Sequence, residues 1–91
     1  MSINDGVSVK TSSTTVLVVN GNRKTANLVN DSNETIYLAL GEDAELNKGI
    51  RLNAGGGNFE INASNMWKGT VNAICLSGSK NLCVSETTEE K

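Results

Sequence analysis

The chain has no histidine and no proline, and only three aromatic residues and two cysteines among its 91 positions. Each shortage removes a class of function. Histidine is the commonest general base and the commonest zinc ligand. Without it, neither a Ser-His-Asp nor a Cys-His constellation can be assembled within one chain, and two cysteines cannot complete a four-ligand structural zinc site. No apolar run approaches the roughly 20 residues of a membrane span, and Met1-Ser2-Ile3-Asn4-Asp5 has neither the basic start nor the apolar stretch of a secretory signal. The eight Lys and Arg residues are scattered and the net charge is −2, which argues against nucleic acid as the partner, because phosphate binding needs clustered cations. The expectation is a soluble, non-enzymatic protein made in the cytoplasm, with no cofactor, no nucleic acid and no membrane among its ligands.

What is present is β-branched and small polar. A chain of this length forms one thin core, burying about 60–65% of the surface that its unfolded form exposes. With Tyr37, Phe59 and Trp67 the only aromatics, that core must come from Val, Ile and Leu, a mixture that favours strands. Asn, Ser and Thr supply 30 of the 91 residues, more than all the charged residues together. These three types favour turns, caps and exposed strand faces over helix interiors.

The pattern along the chain is a series of short alternating segments. Residues 1–13 hold few large apolar residues, only Ile3, Val7 and Val9, and read as an N-terminal arm or a weak edge strand. Thr14 to Val19 is a β-branched run that stops at Asn20-Gly21, a dipeptide suited to the positive φ angles of a type I′ turn. This predicts a hairpin with the following segment, Arg23 to Asn30. After a turn at residues 31–34, Ile36, Leu38 and Leu40 share one face of a strand and belong to the core, while Thr35, Tyr37 and Ala39 face the other way. Ile50 and Leu52 alternate with polar residues, Ala54-Gly55-Gly56-Gly57 reads as a bend, and Asn58 to Asn62 as a short half-buried strand. Residues 63–69 are the one candidate for a helical turn. The last hairpin pairs Thr70 to Leu76 with Leu82 to Ser85, and the polar tail 87–91 frays. The expected fold is all-β: a small antiparallel β-sandwich or barrel of about seven short strands, with the single β domain at residues 14–86.

Few residues in this pattern carry chemistry. If the last hairpin centres on Ser79, Cys75 lies opposite Cys83, at the short end of the Cα spacing for a disulfide. A Cys75–Cys83 bond and two reduced thiols under a neighbouring element are both compatible with this. The Gly55-Gly56-Gly57 run lacks the Lys-Ser/Thr of a phosphate loop and reads as a bend between Leu52 and Phe59, while Glu42, Asp43 and Glu45 lack the alternation of a calcium loop and read as a solvated loop. Asn-x-Ser/Thr sequences at Asn30, Asn33 and Asn62 are expected by chance in so Asn-rich a chain. Tyr37 and Trp67 are the candidate surface aromatics for stacking on a sugar, against the alternative that Trp67, beside a glycine, plugs the end of the core.

Several runs taken together resemble a family. Asn22-Arg23, Ala26 to Asn30, Thr35 to Gly41, Gly49 to Asn53, Phe59-Glu60-Ile61, Trp67 to Ile74 and the closing segment Leu82 to Glu86 are similar to small structural proteins of tailed bacteriophages, of the head decoration type. The resemblance covers residues 22–86 and does not include the cysteine pair. It implies a virion component: a capsid decoration (cement) protein on the outer head surface, with the major capsid protein or another virion protein as partner and a homo-oligomer on the particle. A tail or fibre module binding a receptor or glycan is the alternative, and an intracellular host-takeover protein a further one. In the first reading the arm carrying Ile3, Val7 and Val9 reaches the partner.

Overall fold

Alternating Ile36, Leu38 and Leu40 bury one row of side chains and turn Tyr37 and Ala39 outward, as a period of two requires. The same rule builds eight strands in the computed structural model, which describes residues 2–89. They are β1 (Ser2–Val9), β2 (Thr14–Leu17), β3 (Arg23–Asn30), β4 (Ile36–Leu40), β5 (Ile50–Leu52), β6 (Asn58–Ile61), β7 (Val71–Cys75) and β8 (Lys80–Thr88). All pairings are antiparallel. One four-stranded sheet has the order β1-β8-β3-β6 and the other β2-β7-β4-β5. Val9 and Leu28 of the first sheet and Ile36, Leu38 and Leu52 of the second belong to the shared core. The fold is a small β-sandwich. Among the described residues no helix is long and apolar enough to cross a membrane.

The path of the chain differs from the hairpin expectation at two places. Every successive pair of strands except β4 and β5 lies in different sheets, so most connections are corners. At Asn20-Gly21 no type I′ turn forms, since Gly21 is not among the positive-φ residues. Asn20 holds the corner instead. Its C=O accepts from Arg23 N (3.1 Å), its N–H donates to Lys68 O (2.8 Å), its Oδ1 accepts from Asn22 N (3.0 Å) and its Nδ2 donates to Thr88 Oγ1 (3.0 Å). Bonds to three separate segments favour a corner over a free-standing hairpin. At Ser77-Gly78-Ser79 the left-handed backbone of Gly78 (φ 81°) and Ser79 (φ 54°) carries the chain from β7 in one sheet to β8 in the other. Residues 63–69 contain a turn closed by Asn65 N to Asn62 O (3.2 Å) and no helix.

The N-terminal segment is part of the body. β1 pairs with β8 along its whole length, from Ser2↔Thr87 to Val9↔Lys80, and is the edge strand that was one of its two expected forms. At the other end, Thr87 and Thr88 belong to β8, while Glu90 and Lys91 lie outside the described residues.

A buried ion pair closes one end of the sandwich. Glu86 sits in the inward row of β8 behind Leu82 and Val84. Arg23 would face outward with Thr25 and Asn27, but a bulge between Arg23 and Thr25 reverses its parity. Both residues are consequently buried, at 2% and 5% exposure. Arg23 Nε donates to Glu86 Oε2 at 2.6 Å, Nη1 to Trp67 O (2.7 Å) and Gly69 O (3.0 Å), and Nη2 to Val18 O (2.7 Å). One guanidinium thus joins both sheets and the loop before β7. At the far end of β3, buried Asn30 donates through Nδ2 to Glu34 O (2.7 Å) and Leu52 O (3.0 Å), and accepts at Oδ1 from Ser32 Oγ (2.6 Å). Its backbone exchanges bonds with Gly56 and Gly57, and Gly56 can take part because it adopts φ 120°, open only to glycine.

Removing one partner of a buried pair leaves a charge and several carbonyls unmet. Arg23→Ala should therefore cost about 3–5 kcal/mol, a large part of the roughly 5–15 kcal/mol of a small domain. Lys24→Ala, at an exposed neighbour, should change stability by less than about 0.5 kcal/mol. Urea denaturation of the two variants measures the contrast, and equal midpoints would refute the clamp.

Candidate functional site: the β1/β2 edge

The cysteines are separated by the corner at 77–79. Cys75 is on β7, whose partners are β2 and β4, and Cys83 is on β8, whose partners are β1 and β3. Both are free thiols, Cys75 buried and Cys83 exposed. The expected cross-strand pairing, and with it the proposed Cys75–Cys83 bond, fails because the two strands are in different sheets. Cys75 instead serves the fold: its Sγ donates to Val9 O (3.4 Å) and accepts from Gly78 N (3.2 Å).

The aromatics divide between core and surface. Trp67 is half-buried against the core and donates Nε1–H to Thr70 O at 3.0 Å. A methyl group at Gly69 would lie 2.7 Å from its Cζ2, so the glycine is there to let the indole close the end of the sandwich. Tyr37 lines a cleft of about 270 Å³ on the outer side of the second sheet, with Glu34, Thr35, Leu46, Asn47 and Leu76. The polar groups of this cleft are satisfied by their neighbours: Tyr37 OH donates to Asn47 Oδ1 (3.0 Å), and Glu34 accepts from Ser77 N (2.8 Å) and Ser77 Oγ. Ser77 holds the Glu34 carboxyl below its ordinary value, first through the hydroxyl and then through the backbone N–H, with Lys80 adding attraction.

The acidic loop is tied into the fold by its backbone. Asn72 Nδ2 donates to Glu42 O (2.6 Å), and Ala44 N donates to Ser13 Oγ (2.8 Å). Among the described residues no group of three or more Cys, Asp or Glu side chains could hold a metal ion.

Among the described residues the exposed large apolar side chains are Leu46, Met66 and Leu76, away from the edge formed by β1 and β2, and Ile3, Val18 and Val19, at it. β1 and β2 are both outermost strands, on the same side of the sandwich. β2 has four residues against eight in β1, so the N-terminal half of β1 and the end of β8 are left facing a cleft of about 180 Å³. Ile3, Val7, Val16, Val18 and Val84 line it, together with the Asp5 carboxylate. Ile3 is 45% exposed, Val18 67% and Val19 70%. Of the three residues expected to form a partner-binding arm, Ile3 is at this surface, Val7 is half-buried and Val9 is fully buried in the core. Val9 is therefore a core residue and does not reach a partner. The exposure of Val18 and Val19 has a signal within the run Thr14 to Val19: where Val16 to Val19 are consecutively apolar, a period of two cannot turn every side chain inward.

Comparison with known protein families, curated proteins and solved structures returns no match to this chain.

Two measurements check the site geometry. In native protein, Ellman's reagent should modify one thiol per chain, Cys83, and a second only after denaturation; no fast reaction would contradict the assignment. Glu34 has a depressed folded-state value, so its contribution to stability is complete above the ordinary glutamate range and is lost as pH falls through that lower value. Ser77→Ala should move the Glu34 midpoint, read from its side-chain carbonyl by NMR, back up toward 4.5, and an unmoved midpoint would count against the Ser77 contact.

Proposed function

We propose that this chain is a structural, non-enzymatic component of a tailed-bacteriophage particle, a decoration protein that docks on the outer head surface and stabilises contacts between major capsid subunits. Residues 22–86 carry the sequence resemblance behind this reading. The single observation that carries the docking is the β1/β2 edge, where Ile3, Val18 and Val19 stand exposed beside a long strand hydrogen-bonded on one side only. Clustered apolar surface of this kind is what monomeric proteins avoid and interfaces use. An open strand edge adds a row of backbone donors and acceptors for a neighbouring chain. Weak contacts repeated over a symmetric shell hold firmly once copies are linked to one another.

The glycan reading has less support, because the Trp67 indole is engaged in closing the core and the polar groups around Tyr37 already satisfy each other.

Mass spectrometry of gradient-purified particles tests the reading. The chain should be present in many copies per head, and Val18→Asp with Val19→Asp should lower its occupancy by about tenfold or more. Absence of the unaltered chain from the particles would overturn the virion assignment.

A further inference from the structure

We propose that Asn20 is a site of spontaneous deamidation gated by the fold: its side-chain amide is lost from the open chain, is protected once the corner closes, and leaves a product that cannot rebuild that corner. The co-reactant is water, so no partner at the β1/β2 edge is involved.

The reaction needs an asparagine followed by an unhindered backbone nitrogen. Gly21 N attacks the Asn20 side-chain carbonyl carbon and gives its proton to solvent. The Cγ–Nδ2 bond breaks, Nδ2 takes up a proton and leaves as ammonia, and a five-membered succinimide remains. Water then adds to either ring carbonyl and opens the ring, giving aspartate or isoaspartate. Of the 13 asparagines only Asn20 precedes a glycine, and a side chain on the following residue would crowd the attack. The backbone does not require a glycine there. Gly21 is outside the positive-φ residues, and a Cβ built on it would meet no atom within 4 Å. It is exposed, and among the described residues its N–H meets no acceptor. The nucleophile is thus open to solvent even in the folded chain, and control lies with the Asn20 amide.

In the closed corner that amide is held at both ends. Oδ1 accepts from Asn22 N and Nδ2 donates to Thr88 Oγ1, each at 3.0 Å. The main chain on either side is fixed by Asn20 N to Lys68 O (2.8 Å) and Arg23 N to Asn20 O (3.1 Å). The amide face cannot turn onto Gly21 N while both ends are bonded, so ring closure passes through an opened corner. Neither product restores the contacts. An aspartate at position 20 has no side-chain N–H for Thr88. Isoaspartate routes the main chain through the former side chain, which lengthens the turn by one carbon and replaces the carbonyl that accepts from Arg23 N. The damage falls beside the guanidinium that clamps Glu86. A chain built from distant strand pairings passes through the reactive state each time it folds, and modification there is irreversible.

Timed incubation of the full chain, in buffer and in guanidinium chloride at the same mildly alkaline pH, tests the gating. Trypsin releases residues 11–23, which carry Asn22 as an internal reference. Mass spectrometry should show Asn20 losing its amide at least about tenfold faster in the unfolded chain, with Asn22 unchanged in both. Gly21→Ala, which the open space at that position admits, should bring the unfolded-chain reaction down to the level of Asn22. Thr88→Val, compared well below its own denaturation midpoint, should speed the folded-chain reaction about two- to tenfold. The modified chain carries one more negative charge, so ion exchange separates it; after refolding it should unfold at a lower guanidinium concentration than the unmodified chain. Equal rates in folded and unfolded chains, or a folded-chain rate unmoved by Thr88→Val, would overturn the gating. Amide loss spread over other asparagines, or a Gly21→Ala chain as reactive as the original, would overturn the site. An unchanged midpoint would overturn the link to the corner.

Discussion

The sandwich depends most on one guanidinium. Arg23 holds Glu86 and three carbonyls in a space that a water-filled gap or an apolar plug would otherwise have to fill. Four donors are placed at once, and the segments they meet come from distant parts of the chain: the end of the first valine run, the loop before β7 and the last strand. A buried pair of this kind is weak evidence of added stability, because desolvation offsets much of the attraction. Its value here is specificity of arrangement. Only when β2, β3, β8 and the 67–69 loop are all in place does each buried polar group find its partner, and no buried side-chain nitrogen or oxygen among the described residues is left without one. Asn30 does the corresponding work at the opposite end of β3, with an uncharged group and glycines in place of an ion pair.

Strands were legible in the sequence because alternation is local. The inward row of Ile36, Leu38 and Leu40 and the bend at 54–57 follow from spacing and from glycine alone. Connections were not legible, because whether a strand turns back on its neighbour or crosses to the opposite sheet depends on partners far away in sequence. Asn20-Gly21 has the composition of a tight hairpin, yet Lys68 and Thr88 claim its polar groups and make it a corner. The same applies at Ser79, where the centring that would have set Cys75 opposite Cys83 gives way to a change of sheet.

The candidate site divides along similar lines. Ile3 was visible as an apolar residue in a polar segment. Val9 looked equivalent by type, and its burial follows from its place opposite Lys80 in the ladder, which only the pairing of β1 with β8 reveals. Arg23 and Glu86 carried no signal, since a bulge reverses the parity of the first and the second takes a position that alternation reserves for an apolar side chain.

The constant crossing between sheets has a consequence for how the molecule comes into being. No stretch of consecutive residues contains a complete sheet, and the one pair of sequence-adjacent strands that bond to each other, β4 and β5, share only three residue pairs. Early strands must therefore wait. During synthesis β1 emerges before its partner β8, so it cannot pair along its full length until Thr87 has left the ribosome. Such a topology, dominated by contacts between distant segments, folds slowly and as one unit. A nascent or truncated chain thus offers a growing cell an open β edge for longer than a hairpin-built sandwich of equal size would.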